Sequence, residues 1–499
     1  MNDIGWLLVL ALITMIVIRR TVLRLGRHQV AWFMDPVVLL CGAWLIESVV
    51  YSLPILVNRH PLQAHHVLYI SACIASFVMG VMIVPSKSKK PRGPAQSADR
   101  GAGVGLLLLF GMAGLGLLGN FAIAYDGLSK SRVSLLERFS GDSLSAIRGE
   151  TVATATTLQG GPLAMFESFG SASTIFVCMV AAGLLARQTN LARGHKNLVY
   201  ALAVISVLFV SFNSVIVHGG RIGMVQLLLA LVLASMMDSQ RWLLGHVNRM
   251  LGSAKWPVIM VSLVLSMGGI WYLATDFMKS RTGEAMPLNA MAAYHRTVAT
   301  PDVEDLVSNN EALQYGLLSL SYLTVPLPTM GYYYDLPDTL FPGPYWGQYN
   351  FSGAVTFVMR RMGYLKYQRT ISEIREQATA SLVRMGYGDN VWSTLLRDIA
   401  LDVGWSGVPL VMFILGWLSE RVMRAARDGD NFIMKILALM TSLLLVFSIA
   451  HSLFVIESFQ RVYWVCFMIL AYQKLLGPQS ILSFRLKRPG AVVSSAKQA

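Results

Sequence analysis

The chain has 499 residues, of which 55% are hydrophobic and only 14% charged, with a mean hydropathy of +0.54. A soluble domain carries about a quarter charged residues, so a soluble globular protein is excluded. The net charge of +14 would suit nucleic acid on a soluble chain, but here it reads as basic loops facing anionic lipid, and no nucleic-acid partner is expected.

The apolar residues fall in long runs, and long apolar runs are the mark of spanning helices. The expected fold is an all-α polytopic membrane protein with about eleven transmembrane helices. The expected spans are 4–18, 35–57, 66–84, 104–124, 169–186, 198–217, 222–238, 256–275, 394–419, 432–450 and 461–476. The first has no basic segment before it and ends in Arg19-Arg20, so it reads as a retained helix rather than a cleaved signal. Cys41, Cys73, Cys178 and Cys466 all sit in apolar runs without metal or disulfide spacing.

Lys and Arg in short loops set the orientation. The segments 19–34, 85–103, 187–197, 239–255, 420–431 and the tail from 477 carry more than half of the 41 Lys and Arg residues. The short segments 58–65, 218–221 and 451–460 carry one, one and none. The N-terminus is therefore expected outside and the C-terminus in the cytoplasm. This divides the chain into helices 1–8 over 1–275 with an outer loop at 125–168, a large outer segment at 276–393, helices 9–11 over 394–476, and a tail at 477–499. Short helices lying on the membrane are expected in the large segment, for example around 370–385.

Four constellations could carry chemistry. In the first, the ninth span opens with Asn390, Ser393, Thr394, Arg397, Asp398 and Asp402. On one continuous helix Thr394, Asp398 and Asp402 share a face. Two carboxylates one turn apart repel, so a cation binds between them, or one has a raised pKa, which suits a general base toward a hydroxyl. The alternative is that they cap the helix and pair with an arginine of a neighbouring loop. The second is His218-Gly219-Gly220-Arg221, a tight turn whose glycines allow close approach and whose arginine suits a phosphate at a helix start. The plain alternative is a hairpin with a snorkelling arginine.

The third is the arginine set of the outer segments: Arg148, Arg360, Arg361, Arg375 and Arg384, with Arg461 beside Glu457 at the last outer turn. A diphosphate needs several such forked donors. The fourth is aromatic: Tyr332, Tyr333, Tyr334, Tyr345, Trp346 and Tyr349 suit either sugar rings or an interfacial belt, and the belt is the expectation. Glu47, near the middle of the second span, is an ionisable group in an expensive place. No P-loop, HExxH, GxSxG, dinucleotide fingerprint or His/Cys metal spacing occurs.

The run GDNVWSTLLRDIALDVGWSG at 388–407 resembles the late motif of the Wzy-type oligosaccharide repeat-unit polymerases, through Asn390, Val391, Trp392, Thr394, Asp402, Gly404 and Gly407. Val403 departs from the aromatic often found there. HGGRIGMVQLLLALVL from 218 is similar to that family's Gly-Ser-Arg turn, with Gly220 in place of the serine. The resemblance implies a GT-C-like bundle in the inner membrane of a Gram-negative bacterium, with its site facing the periplasm. The implied reaction joins undecaprenyl-diphosphate-linked oligosaccharide repeat units, as in O-antigen or exopolysaccharide biosynthesis, without a metal or other cofactor. The implied partners are a chain-length-determining co-polymerase and membrane lipids. Arg221 with Asp398 or Asp402 would act at the reacting centre. His218, Arg148, Arg221, Arg360, Arg361, Arg375, Arg384, Asn390, Thr394, Arg397 and Arg461 would bind diphosphate or glycan. Two other functions use the same donor: the O-antigen ligase, for which His295 is the candidate histidine, and a flippase of lipid-linked sugars.

Overall fold

The computed structural model describes residues 3–25, 35–84, 287–337, 340–351, 366–387, 393–428 and 432–455, together with 118, 121 and most of 459–471. These are mostly helical. Among the described residues, three helices are long and apolar enough to cross a membrane: Ile4–Arg24, Ala64–Met82 and Trp405–Arg427. Two shorter apolar helices cover Pro36–Ser52 and Ile436–Phe447. The five expected spans between 104 and 275 lie outside the described residues, save for 118 and 121.

Helix α1 (Asp3–Leu25) runs past Arg19-Arg20, where the sequence reading ended it. The helix continues because Arg19 is buried and neutralised. Its Nε lies 3.1 Å from Asp35 Oδ2 and its Nη2 3.1 Å from Glu420 Oε2. Asp35 also accepts from the Val37 N–H, capping α2 (Pro36–Ser52), whose first-turn proline has no N–H to leave unpaired. Glu420 is shared by Arg424 at 2.9 Å and Arg427 at 3.0 Å. One polar network thus ties the ends of three elements.

α3 (Ala64–Met82) starts at Gln63 with a capping box to His66. It packs lengthwise on α10 (Val408–Asp428), and glycine permits the close approach. A Cβ at Gly80 would overlap the Phe413 carbonyl, and one at Gly416 would overlap that of Phe77.

After α2 a short strand β1 (Leu56–Asn58) pairs antiparallel with β2 (Thr297–Ala299), Leu56 opposite Ala299. This pairing fastens the large segment to the top of the bundle. The segment itself is more helical and more buried than its low hydropathy suggests. It contains α4 (Pro287–Ala290), a single π-helical turn, α5 (Pro301–Val307), α6 (Glu311–Thr324), α7 (Pro326–Asp335) and α8 (Lys366–Arg384). Pro326 stops α6 and begins α7, because it offers no N–H to the preceding turn. Leu327 and Met330 of α7 enter the same core as Leu40, Trp44, Ile70 and Leu396. Part of the segment therefore packs into the bundle. The helix expected around 370–385 is present as α8.

The expected ninth span, 394–419, is two helices. α9 (Leu395–Val403) ends at Gly404, whose φ of +72° favours glycine. A 3₁₀ turn at Trp405–Gly407 then leads into α10. α11 (Phe432–Phe447) packs beside α10 and α2.

Candidate functional site

The seam at 393–407 gathers Ser393, Thr394, Arg397, Asp398 and Asp402, all buried. Thr394 caps α9, its hydroxyl accepting from the Arg397 N–H at 3.4 Å. The Leu395 N–H donates to the Ser448 carbonyl at 2.7 Å, so the helix begins against the end of α11. Every residue from Leu395 to Asp402 is buried, charges included.

Arg397 Nη1 lies 2.8 Å from Asp398 Oδ1 and donates to the Tyr349 hydroxyl at 3.1 Å. Its Nη2 donates to the Tyr333 hydroxyl at 3.1 Å. Asp398 Oδ2 accepts the Ser452 N–H at 2.7 Å, and Oδ1 accepts the Ser393 hydroxyl at 3.4 Å. Burial pushes the Asp398 carboxyl up, and Arg397 and the donors oppose it only in part. Burial likewise pushes the Tyr349 hydroxyl up, to about 12.

Asp402 has a different task. Its Oδ1 accepts the Tyr349 N–H at 2.8 Å, and its Oδ2 accepts the Asn350 N–H at 2.9 Å and Asn350 Nδ2 at 2.7 Å. Asn350 Nδ2 also reaches the Asp398 carbonyl at 2.7 Å, and Gln460 donates to the Asn350 carbonyl at 2.6 Å. Asp402 thus fastens the chain at 345–350 onto α9.

The two carboxylates hold separate sets of donors, and no cation is needed between them. All three donors on Asp402 come from Tyr349 and Asn350, which makes it the anchor of that stretch. Asp398 pairs with Arg397 of its own helix rather than with an arginine of a neighbouring loop.

Thr394, Arg397, Asp398 and Asp402 are therefore brought together. Arg384 lies exposed in the last turn of α8. Arg375 is in α8, with its side chain outside the described set. Arg148, His218, Arg221, Arg360, Arg361, Asn390, Glu457 and Arg461 lie outside the described residues. Glu47 is 1% exposed, and its carboxyl faces the Leu327 backbone at the start of α7. His295 is buried, with Nδ1 2.6 Å from the Ser321 hydroxyl.

The interfacial belt expected of the aromatics is corrected in part. Tyr333 is fully buried beside Arg397, and Tyr349 bonds the same guanidinium. Tyr334 packs with Tyr69 and Trp405, and Tyr69 donates to the Trp405 carbonyl. Trp346 is exposed.

Sequence reading did not find the partners Asn350, Ser452 and Gln460, which carry no local signal. It also did not find the group His65, His66 and Asp335, the one set among the described residues whose ligand atoms are close enough for a metal. Nε2 of His65 and of His66 lie 2.8 and 2.9 Å from the same Asp335 oxygen. His66 Nδ1 accepts the Gln63 N–H at 3.0 Å, so Nε2 carries the proton and has no lone pair for a metal in this arrangement. The group works as a clamp between α3 and α7. The two histidines hold the Asp335 carboxyl below its usual range, although burial acts the other way.

No family model, curated protein or solved structure matches the chain.

Proposed function

We propose that the chain is a Wzy-type polymerase joining undecaprenyl-diphosphate-linked oligosaccharide repeat units at the outer face of the inner membrane. The observation that carries the reading is the buried Arg397–Asp398–Asp402 constellation at the start of the Trp405–Arg427 helix. It occupies the run that resembles the family's late motif, and it holds the large segment against the bundle.

In this reading an acceptor hydroxyl oxygen attacks the anomeric carbon of the donor glycan. The bond from that carbon to the diphosphate oxygen breaks, and the electron pair leaves with undecaprenyl diphosphate. Arginines stabilise the departing charge, and the candidates remain Arg148, Arg221, Arg360, Arg361, Arg375 and Arg384. The hydroxyl proton passes to a carboxylate. Both carboxylates hold three donors, and Asp398 is the candidate because burial pushes its carboxyl up. Asp402 is then a positioning residue.

A flippase for lipid-linked oligosaccharides is the second reading. The helix break at Pro326, against α2 with its buried Glu47, favours it. For the ligase reading, its candidate His295 is buried against Ser321 and Tyr322, which gives that reading less support.

The test is the glycan profile of a deletion strain. Single repeat units on lipid at the outer face, with no long chains, support the polymerase. Long chains retained on undecaprenyl point to the ligase, and single units trapped at the inner face point to the flippase. Arg221→Ala is expected to abolish polymer with the protein still in the membrane; normal chain lengths would refute the anion site.

A further inference from the structure

Residues 345–348 form a tight turn, closed by the Gln348 N–H donating to the Tyr345 carbonyl at 3.1 Å. Its central residues have φ of +54° at Trp346 and +88° at Gly347, both positive as in a type I′ turn. Asn-Gly and Gly-Gly suit such a turn, because asparagine and glycine enter the left-handed region readily. A tryptophan there is strained. The strain is imposed from both sides. The Tyr345 and Trp346 N–H groups donate to the Leu401 and Asp402 carbonyls, each at 2.8 Å. Beyond the turn, the Asp402 carboxylate holds the N–H groups of Tyr349 and Asn350. The turn is therefore fixed, and its indole is aimed outward.

That indole is 79% exposed, the most exposed large apolar side chain among the described residues. Both features, the strained backbone and the bare ring, cost stability. Strain held in place by its surroundings points toward function. Next to it in the chain, the Tyr345 hydroxyl lies 3.3 Å from Gln377 Oε1 on α8. A flat apolar ring beside an amide and a hydroxyl suits a sugar, whose ring presents C–H groups on one face and hydroxyls around its edge.

We propose that Trp346 is a stacking platform for a pyranose ring of the oligosaccharide substrate, with Tyr345 and Gln377 beside it to meet the sugar hydroxyls. This rests on the polymerase reading and names a binding subsite within it.

The probe is the oligosaccharide released by mild acid from the lipid-linked pool of the deletion strain. It is titrated calorimetrically against the full chain in detergent. Trp346→Gly and Trp346→Asn relieve the turn and remove the platform. Both are expected to melt at or above the wild-type temperature and to bind the probe at least tenfold more weakly. Trp346→Phe keeps a ring and is expected to bind between the two. Wild-type affinity in the glycine variant would overturn the platform and leave the polymerase reading standing. Absence of binding by the wild type itself would remove both. Lower melting temperatures in both relieved variants would refute the strain argument. In vesicles of brominated phosphatidylcholine, loss of the emission difference between wild type and Trp346→Phe would place the indole in lipid and overturn the proposal.

Discussion

Asp402→Asn separates the two roles open to this residue. The carboxylate accepts three donors, two backbone N–H groups and the Asn350 amide. An asparagine keeps one acceptor oxygen and turns an NH₂ toward the remaining donors. A hydrogen bond to a charged group contributes about 1.5–3 kcal/mol, and a buried donor left unpaired costs about 1–3 kcal/mol. Losing the charge at one site and stranding a donor at the other should cost roughly 3 kcal/mol, since neighbouring terms do not add fully. The cost falls on the attachment of 345–350 to α9, so it appears as local opening. About 3 kcal/mol raises the open population on the order of a hundredfold. Limited proteolysis of the purified protein should then cut within 343–351 roughly a hundredfold faster, while cleavage sites in the membrane helices are unchanged. A base role predicts the opposite pattern: no glycan polymer and a wild-type cleavage rate. That result would refute the anchor.

Three further expectations follow from the packing. Arg397→Ala leaves Asp398 buried without its cation and should cost about 3–5 kcal/mol, whereas Arg397→Ala with Asp398→Ala should recover part of the loss; strictly additive melting shifts would argue against the pair. Gly416→Ala drives a methyl into the Phe77 carbonyl and should separate α3 from α10 at about 1–3 kcal/mol, read as a lower melting temperature; an unchanged one would mean the crossing is looser than described. The Asp335 carboxyl is held below its ordinary value of 3.8, so the stability it contributes is present above that value and is lost as pH falls through its lower folded value. Asp335→Asn should therefore melt below wild type at neutral pH, with the gap closing in acid; a gap independent of pH would refute the histidine clamp.

Much of the helical framework was legible because it depends on near neighbours in the chain. The apolar run from 66 to 84 corresponds to α3, and the one from 35 to 57 contains α2. Thr394 was legible as polar punctuation before an apolar run, and it caps α9. Gly404 and Gly407 were noticed for the resemblance they carry, yet the break they allow was not expected. A hydropathy average runs through a single glycine, whereas the backbone at Gly404 does not continue the helix.

The large segment was harder. Composition placed it outside as a polar loop, and its helices are indeed poor in long apolar runs. Their apolar residues, such as Leu327 and Met330, become core only because α7 lies against α2, α3 and α9.

The sequence by itself determined that this is an apolar helical chain, where several helices start, and that charges gather at its late seam. Hydropathy and capping act over a few residues, so a linear reading captures them. Tertiary structure alone decided what the charges do. Asp402 meets Asn350 across 52 residues, Arg397 meets Tyr333 across 64, and Asp335 meets His65 across 270. A buried carboxylate is an anchor or a base according to which donors reach it, and that is fixed by how the helices pack. The same packing holds Trp346 in a turn it would not choose, with its ring facing outward.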